Sequence, residues 1–151
     1  MADVDGEESC QLNEVRVRFA TMDDLATCGR LDKQWPKSSL AGKIAVQEYI
    51  LAEDDGDPVG CLRLEHIWGK IPYIGLIWLE PAYRGQGNGR AILGFLETSL
   101  RERGHRVLLS SSQANEATPQ AWHRAVGFRE CGIIAGINEG GIGEVFFRKD
   151  L

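Results

Sequence analysis

The stretch YIGLIWL, Tyr73–Leu79, constrains the fold more than any other part of the chain. It is apolar almost throughout. A strand of that composition is buried on both faces, in the middle of a sheet covered by helices. Directly after it come EPAYRGQGNGR, Glu80–Arg90, and a run with Ile92, Phe95, Leu96, Ser99 and Leu100 on one helical face. The spacing predicts a helix from Asn88 to Arg103, ended by Gly104.

Around this strand–turn–helix centre the other elements alternate. VRVRFA, Val15–Ala20, has the period of a strand, and Thr21 caps a helix that runs to Lys33 with Asp23 and Asp24 in its first turn. QWPKSS breaks that helix, and LAGKIAVQEYI starts as a second one and passes into a strand, YILAEDD. After the turn DDGDP, strands at Val59–Trp68 and Tyr73–Glu80 flank a short hairpin, GKIP. RVLLSSS is a further strand. Thr118 caps, and Pro119 opens, a short helix, QAWHRAV, closed by Gly127. Strands at Gly132–Ile137 and Gly143–Lys149, joined by NEGG, complete the chain. The order β α α β β β α β α β β is a mixed sheet with helices on its faces, α/β or α+β in class.

A chain of 151 residues, 43% of them apolar, sustains one core, so residues 14–151 read as a single domain behind an acidic tail, residues 1–13. That tail has neither the basic nor the apolar region of a signal peptide. No apolar run approaches the ~20 residues of a membrane-spanning helix. A formal net charge of −5 argues against nucleic-acid and polybasic-membrane roles. Cys10, Cys28, Cys61 and Cys131 form no CxxC pair and have no histidine at metal-ligand spacing, so they read as reduced thiols of a cytoplasmic protein without a metal site.

Glycines 85, 87 and 89 raise a sharper question, because glycine is unfavourable by about 0.5–1 kcal/mol in regular structure. A glycine-rich turn between a buried strand and a helix start can hold an anion. The first helical N–H groups lack partners, the helix dipole is positive there, and glycines let a phosphate approach the main chain. A GxGxxG pattern begun at Gly85 needs glycine where Arg90 stands, and one begun at Gly87 needs it at Ile92. The P-loop pattern is also absent. From the turn alone, an anion site and a plain structural turn both remain open.

Two blocks carry a resemblance. LEPAYRGQGNGRAIL resembles the strand–loop–helix core of the GNAT superfamily of acetyl-CoA-dependent N-acetyltransferases, and NEATPQAWHRAVGF resembles its second block, in the right order. The likeness covers residues 15–149 and implies a mixed sheet of about seven strands with about four helices. It also implies acetyl-CoA as co-substrate, held by Arg84, Gly85, Gln86, Gly87, Asn88, Gly89 and Arg90. The backbones of Ile77, Trp78 and Leu79 would pair with the pantetheine arm beside a bulge, and Asn115 would touch the arm. The Leu79 N–H would stabilise the developing oxyanion.

The sequence departs from the superfamily at His123, where a tyrosine often stands. His123 is the expected general acid, with packing against the cofactor as the alternative and a water or serine as other proton sources. Glu65 is the expected base, ahead of His66 and Tyr73. Asp32, Trp35 and Trp68, with Trp122 beside them, are the expected acceptor contacts. The implied activity is direct acetyl transfer to a primary amine of a small molecule or peptide, in a monomer or homodimer. A non-catalytic acyl-CoA-binding module is the alternative.

Overall fold

The computed structural model describes residues 14–151, so the expected N-terminal tail and Cys10 lie outside the described residues. Among the described residues seven strands and four α-helices follow the order read from the sequence. They are β1 (Arg16–Phe19), α1 (Leu25–Leu31), α2 (Lys37–Ala45), β2 (Tyr49–Asp54), β3 (Asp57–Ile67), β4 (Ile71–Leu79), α3 (Asn88–Glu102), β5 (Val107–Gln113), α4 (Ala117–Ala125), β6 (Arg129–Ile134) and β7 (Glu144–Asp150). One sheet has the order β1-β2-β3-β4-β5-β7-β6. Among the described residues only β4 and β5 pair in parallel, and they meet at the single register pair Tyr73–Leu109.

Each face of the sheet has its own core. Ile50, Leu62, Leu64, Ile74, Leu108 and Phe147 pack under Ile92, Leu93, Leu96 and Leu100 of α3 and Val126 and Phe128 at the end of α4. Each such fully buried side chain contributes about 1.5–3 kcal/mol. On the other face Tyr49, Leu51 and Cys61 pack against Cys28, Leu40 and Ile44 of α1 and α2.

Several boundaries differ from the sequence reading. A 3-10 turn, Met22–Asp24, precedes α1, and Asp24 Oδ2 accepts from the Thr21 N–H at 2.7 Å. QWPKSS does not break throughout, since Pro36 sits at the N-cap of α2 and Lys37–Ser39 already form its first turn. α4 begins at Ala117 after Glu116, which puts Pro119 third in the helix, still in the turn where N–H groups have no partner. β6 ends at Ile134 because Gly136, at φ 69°, turns the chain back.

The largest correction concerns β4. It was expected to be buried on both faces, yet residues 75–79 are only half-buried. Beyond Tyr73 the neighbouring β5 diverges, and one edge of β4 is left open.

Candidate functional site

The divergence of β4 and β5 makes a cleft of about 880 Å³, within the range of small-molecule sites. A bulge sharpens it. Arg63 pairs with Leu76 but Leu64 pairs with Ile74, so Gly75 is the extra residue on β4. Beyond the bulge the Glu80 N–H donates to the Val59 carbonyl at 2.8 Å, towards β3. By alternation, Leu79 and Ile77 turn their main-chain groups to the opposite, open edge, and those of Trp78 face β3.

The glycine-rich turn closes one end of the cleft. Gly85 (φ 71°) and Gly87 (φ 88°) are left-handed, a backbone that side chains disfavour, and a Cβ at either would meet open space. Gly87 caps α3 and abuts helical Asn88, a left-handed residue followed by a right-handed one, the backbone alternation that can form an anion-holding nest. Arg84, Gly85, Gly87, Gly89 and Arg90 line the cleft. Arg84 Nε donates to the Leu79 carbonyl at 2.8 Å, and Arg90 Nη2 donates to the Ala125 carbonyl at 2.8 Å. Gln86 and Asn88 brace the turn and do not line the cleft: Gln86 Nε2 donates to Ala82 O (2.6 Å) and buried Asn88 Nδ2 to Tyr83 O (3.0 Å).

The three serines of β5 divide by alternation between the two faces of the sheet. Ser110 and Ser112 share the α3–α4 face with His123. His123 is buried, stacked on Phe147 with ring centroids 4.5 Å apart. Its Nδ1 lies 2.7 Å from the Pro119 carbonyl oxygen, which only accepts, so Nδ1 carries the proton. Nε2 then accepts from the Ser110 hydroxyl at 2.7 Å. Burial lowers the His123 pKa below the ordinary histidine value, which leaves the ring neutral near pH 7. The ring reaches the cleft as expected, but its one proton is held by Pro119 and its other nitrogen is an acceptor. This geometry does not supply a general acid at Nε2. Ser112 Oγ is buried at the cleft without a partner.

Ser111 points to the other face, where the sequence reading had assigned nothing to it. Its hydroxyl donates to Glu144 Oε1 at 2.7 Å, and the Tyr73 hydroxyl lies 2.7 Å from Ser111 Oγ. Asn138 Nδ2 donates to Glu144 Oε2 at 2.8 Å. Tyr73, Ser111, Asn138 and Glu144 all line the cleft, as does Gln34.

Other expected residues stand elsewhere. Asp32 is buried, with Oδ2 accepting from Arg63 Nε at 2.7 Å and Oδ1 accepting from the Gln34 N–H at 3.2 Å. Trp35 lies on the Arg63 guanidinium, 4.3 Å from ring centroid to Cζ. Both support the wall behind the cleft and are not on its lining. Glu65 is off the lining as well, paired through Oε1 with Arg63 Nη1 at 2.8 Å. Trp68 is 84% exposed at the β3–β4 hairpin with a left-handed φ of 54°, away from the cleft. Asn115 is an exposed turn residue outside the lining, where Gln113 and Glu116 stand instead. Trp122 does line the cleft, with its ring against Gly89 at the start of α3.

Comparison with known proteins gives the family and the fold. The acetyltransferase (GNAT) family model matches residues 13–128. An aminoglycoside N(6')-acetyltransferase type 1 of Stenotrophomonas maltophilia is 29% identical over 131 residues, covering 76% of this chain and 86% of the relative. The N-alpha-acetyltransferase RimI of Mycobacterium tuberculosis is 28% identical, covering 79% and 81%. The crystal structure of a ribosomal-protein-alanine N-acetyltransferase from Brucella melitensis shares the fold, with a TM-score of 0.74 at 22% identity over 90% of this chain and 99% of that one.

Proposed function

The chain belongs to the acetyltransferase (GNAT) family, and from that premise we propose how its cleft serves N-acetyl transfer from acetyl-CoA to a primary amine. The observation that carries the reading is the union of an open strand edge with a left-handed glycine turn at the start of α3. The residues present fit the co-substrate. Gly85 and Gly87 leave open space at their Cα atoms, Arg84 and Arg90 add positive charge, and Ser112 offers an unpartnered hydroxyl.

In this reading the turn's N–H groups and the two arginines hold the pyrophosphate. Ile77 offers strand-like hydrogen bonds to the pantetheine arm, and the Leu79 N–H faces the oxygen on which charge develops. Acetyl-CoA supplies an activated acyl group and a thiolate leaving group. His123 acts by position: neutral and wedged on Phe147, it fixes the Ser110 hydroxyl at the cleft wall. The departing sulfur then takes its proton from water admitted to the cleft. The acceptor enters on the opposite face, between Gln34 and Asn138. The names of the relatives support an aminoglycoside or a peptide N-terminus as the amine.

Two further assignments belong to the same reading. Buried, reduced Cys28 and Cys61 support a cytoplasmic site of action, and no helix among the described residues is long and apolar enough to cross a membrane. A homodimer finds support in β6, an edge strand exposed at every residue and carrying Ile133 and Ile134. Light scattering that gives a monomer mass at working concentration refutes the dimer.

Calorimetric titration with acetyl-CoA, with Gly87→Glu as control, tests the site. Saturable binding in the wild type that is lost in the variant places the pyrophosphate on the turn. A folded wild type that does not bind ends the reading. Binding without turnover of any amine leaves the acyl-CoA-binding module in its place.

A further inference from the structure

We propose that Glu144, held by Asn138 and Ser111, is the carboxylate that receives the acceptor's ammonium and takes its first proton. The inference rests on the acetyltransferase reading and adds the base, whose expected position, Glu65, is paired with Arg63 off the cleft.

Glu144 is the first residue of β7 and pairs in register with Gln113 of β5. That places it across the wedge from the free edge of β4. Each of its oxygens accepts one hydrogen bond, from Ser111 and from Asn138, and a carboxylate has about four acceptor positions. Two positions therefore remain for a donor arriving from the cleft. The anchors are themselves fixed. The Tyr73 hydroxyl holds Ser111, and the Tyr73 ring stacks on Phe146. Asn138 is set by the glycine turn between β6 and β7, where its N–H donates to the Ile142 carbonyl and its carbonyl accepts from Gly141. The cleft thus carries arginines at its phosphate end and a hydrogen-bonded carboxylate on the face opposite His123.

An alkylammonium has no lone pair, so it must lose a proton before attack. Glu144 takes that proton. The nitrogen lone pair forms the C–N bond as the C–S bond breaks, a second proton leaves the nitrogen, and the thiolate is protonated. The balance is an ammonium plus acetyl-CoA giving the acetamide, CoA and one proton. The titratable and charged groups on Glu144's side of the sheet are Tyr73 on β4, with Arg63 and Glu65 of β3 behind it, and His123 of α4 feels the Glu144 charge from the opposite face.

The test uses kanamycin and an alanine-starting hexapeptide as probe amines, with acetyl-CoA titrated into every variant. Glu144→Gln should keep acetyl-CoA affinity within about twofold and lose about 100-fold or more in turnover at pH 7. The deficit should narrow to under about tenfold at pH 9.5, where more of the amine is already neutral. A merely structural role gives a deficit that does not change with pH. Ser111→Ala should show a smaller loss of the same pH form. Turnover within about threefold of wild type for Glu144→Gln at pH 7 overturns the proposal. If the wild type acetylates neither probe, both are titrated into the CoA-saturated protein. Binding that Glu144→Gln weakens at least tenfold upholds the assignment. No binding by a wild type that still binds acetyl-CoA overturns it. A wild type that fails to bind acetyl-CoA strikes the acetyltransferase reading instead.

Discussion

Replacing Asp32 by Asn separates a supporting role from an acceptor contact. Arg63 is among the largest fully buried side chains, and its side chain is 2% exposed while that of Asp32 is 0% exposed. Removing one partner of a buried pair costs about 3–5 kcal/mol, because the remaining charge stays desolvated. Here Arg63 keeps Glu65, which is 27% exposed, and the Gln34 side chain at 3.0 Å. The loss should therefore fall at the low end, about 3 kcal/mol. For a domain of this size that lowers Tm by roughly 6–12 °C. Urea unfolding followed by tryptophan fluorescence measures it, with Trp35 on the guanidinium as a local reporter. The double variant Asp32→Leu/Arg63→Met, which removes both charges, should be more stable than Asp32→Asn alone. A loss under about 1 kcal/mol together with a large fall in amine turnover would refute the reasoning and return Asp32 to the acceptor pocket.

Three other outcomes follow from the same contacts. Burial lowers the His123 pKa in the folded chain, so the unfolded chain binds more protons just below pH 6.5; stability is retained above that pH and falls as pH drops through it. Denaturation at pH 7.5 and 5.0 should show a smaller drop for His123→Gln than for wild type, and that variant should lose less than tenfold in turnover, against the 100-fold or more expected of a general acid. Trp68→Asn should leave turnover unchanged and raise stability by about 0.5 kcal/mol, because asparagine tolerates the left-handed backbone better; a lower Tm would count against the strain argument. Burial pushes the Cys28 and Cys61 thiols up to about 12 and about 11, whereas Cys131 is exposed, so mass spectrometry after brief thiol labelling should find Cys131 modified and those two protected until unfolding.

The parts of the site legible in the sequence are those made by neighbours in the chain. Gly87 must be glycine because its own φ is 88° and it starts α3, and both facts leave a local mark in RGQGNGR. The same holds for the apolar face of α3. Asp32 and Trp35 were misplaced because their partner, Arg63, lies on a different strand, and an acidic residue beside a tryptophan looks the same whether it meets a ligand or a buried guanidinium. Trp68 was misplaced because an aromatic side chain does not announce that it sits on an exposed hairpin tip.

What the sequence by itself determined is the order of elements and the place of the glycine turn, since each depends on short-range periodicity and backbone preference, while the family was legible in the likeness of two motif blocks. Only the tertiary structure decided which residues face the cleft. The bulge at Gly75 and the single parallel pair Tyr73–Leu109 open the sheet. Alternation along β5 then sends Ser110 to His123 and Ser111 to Glu144. Three consecutive serines are identical as letters. They differ only once the strand has been given neighbours, because side-chain direction in a sheet is set by register, and register is a property of the pairing.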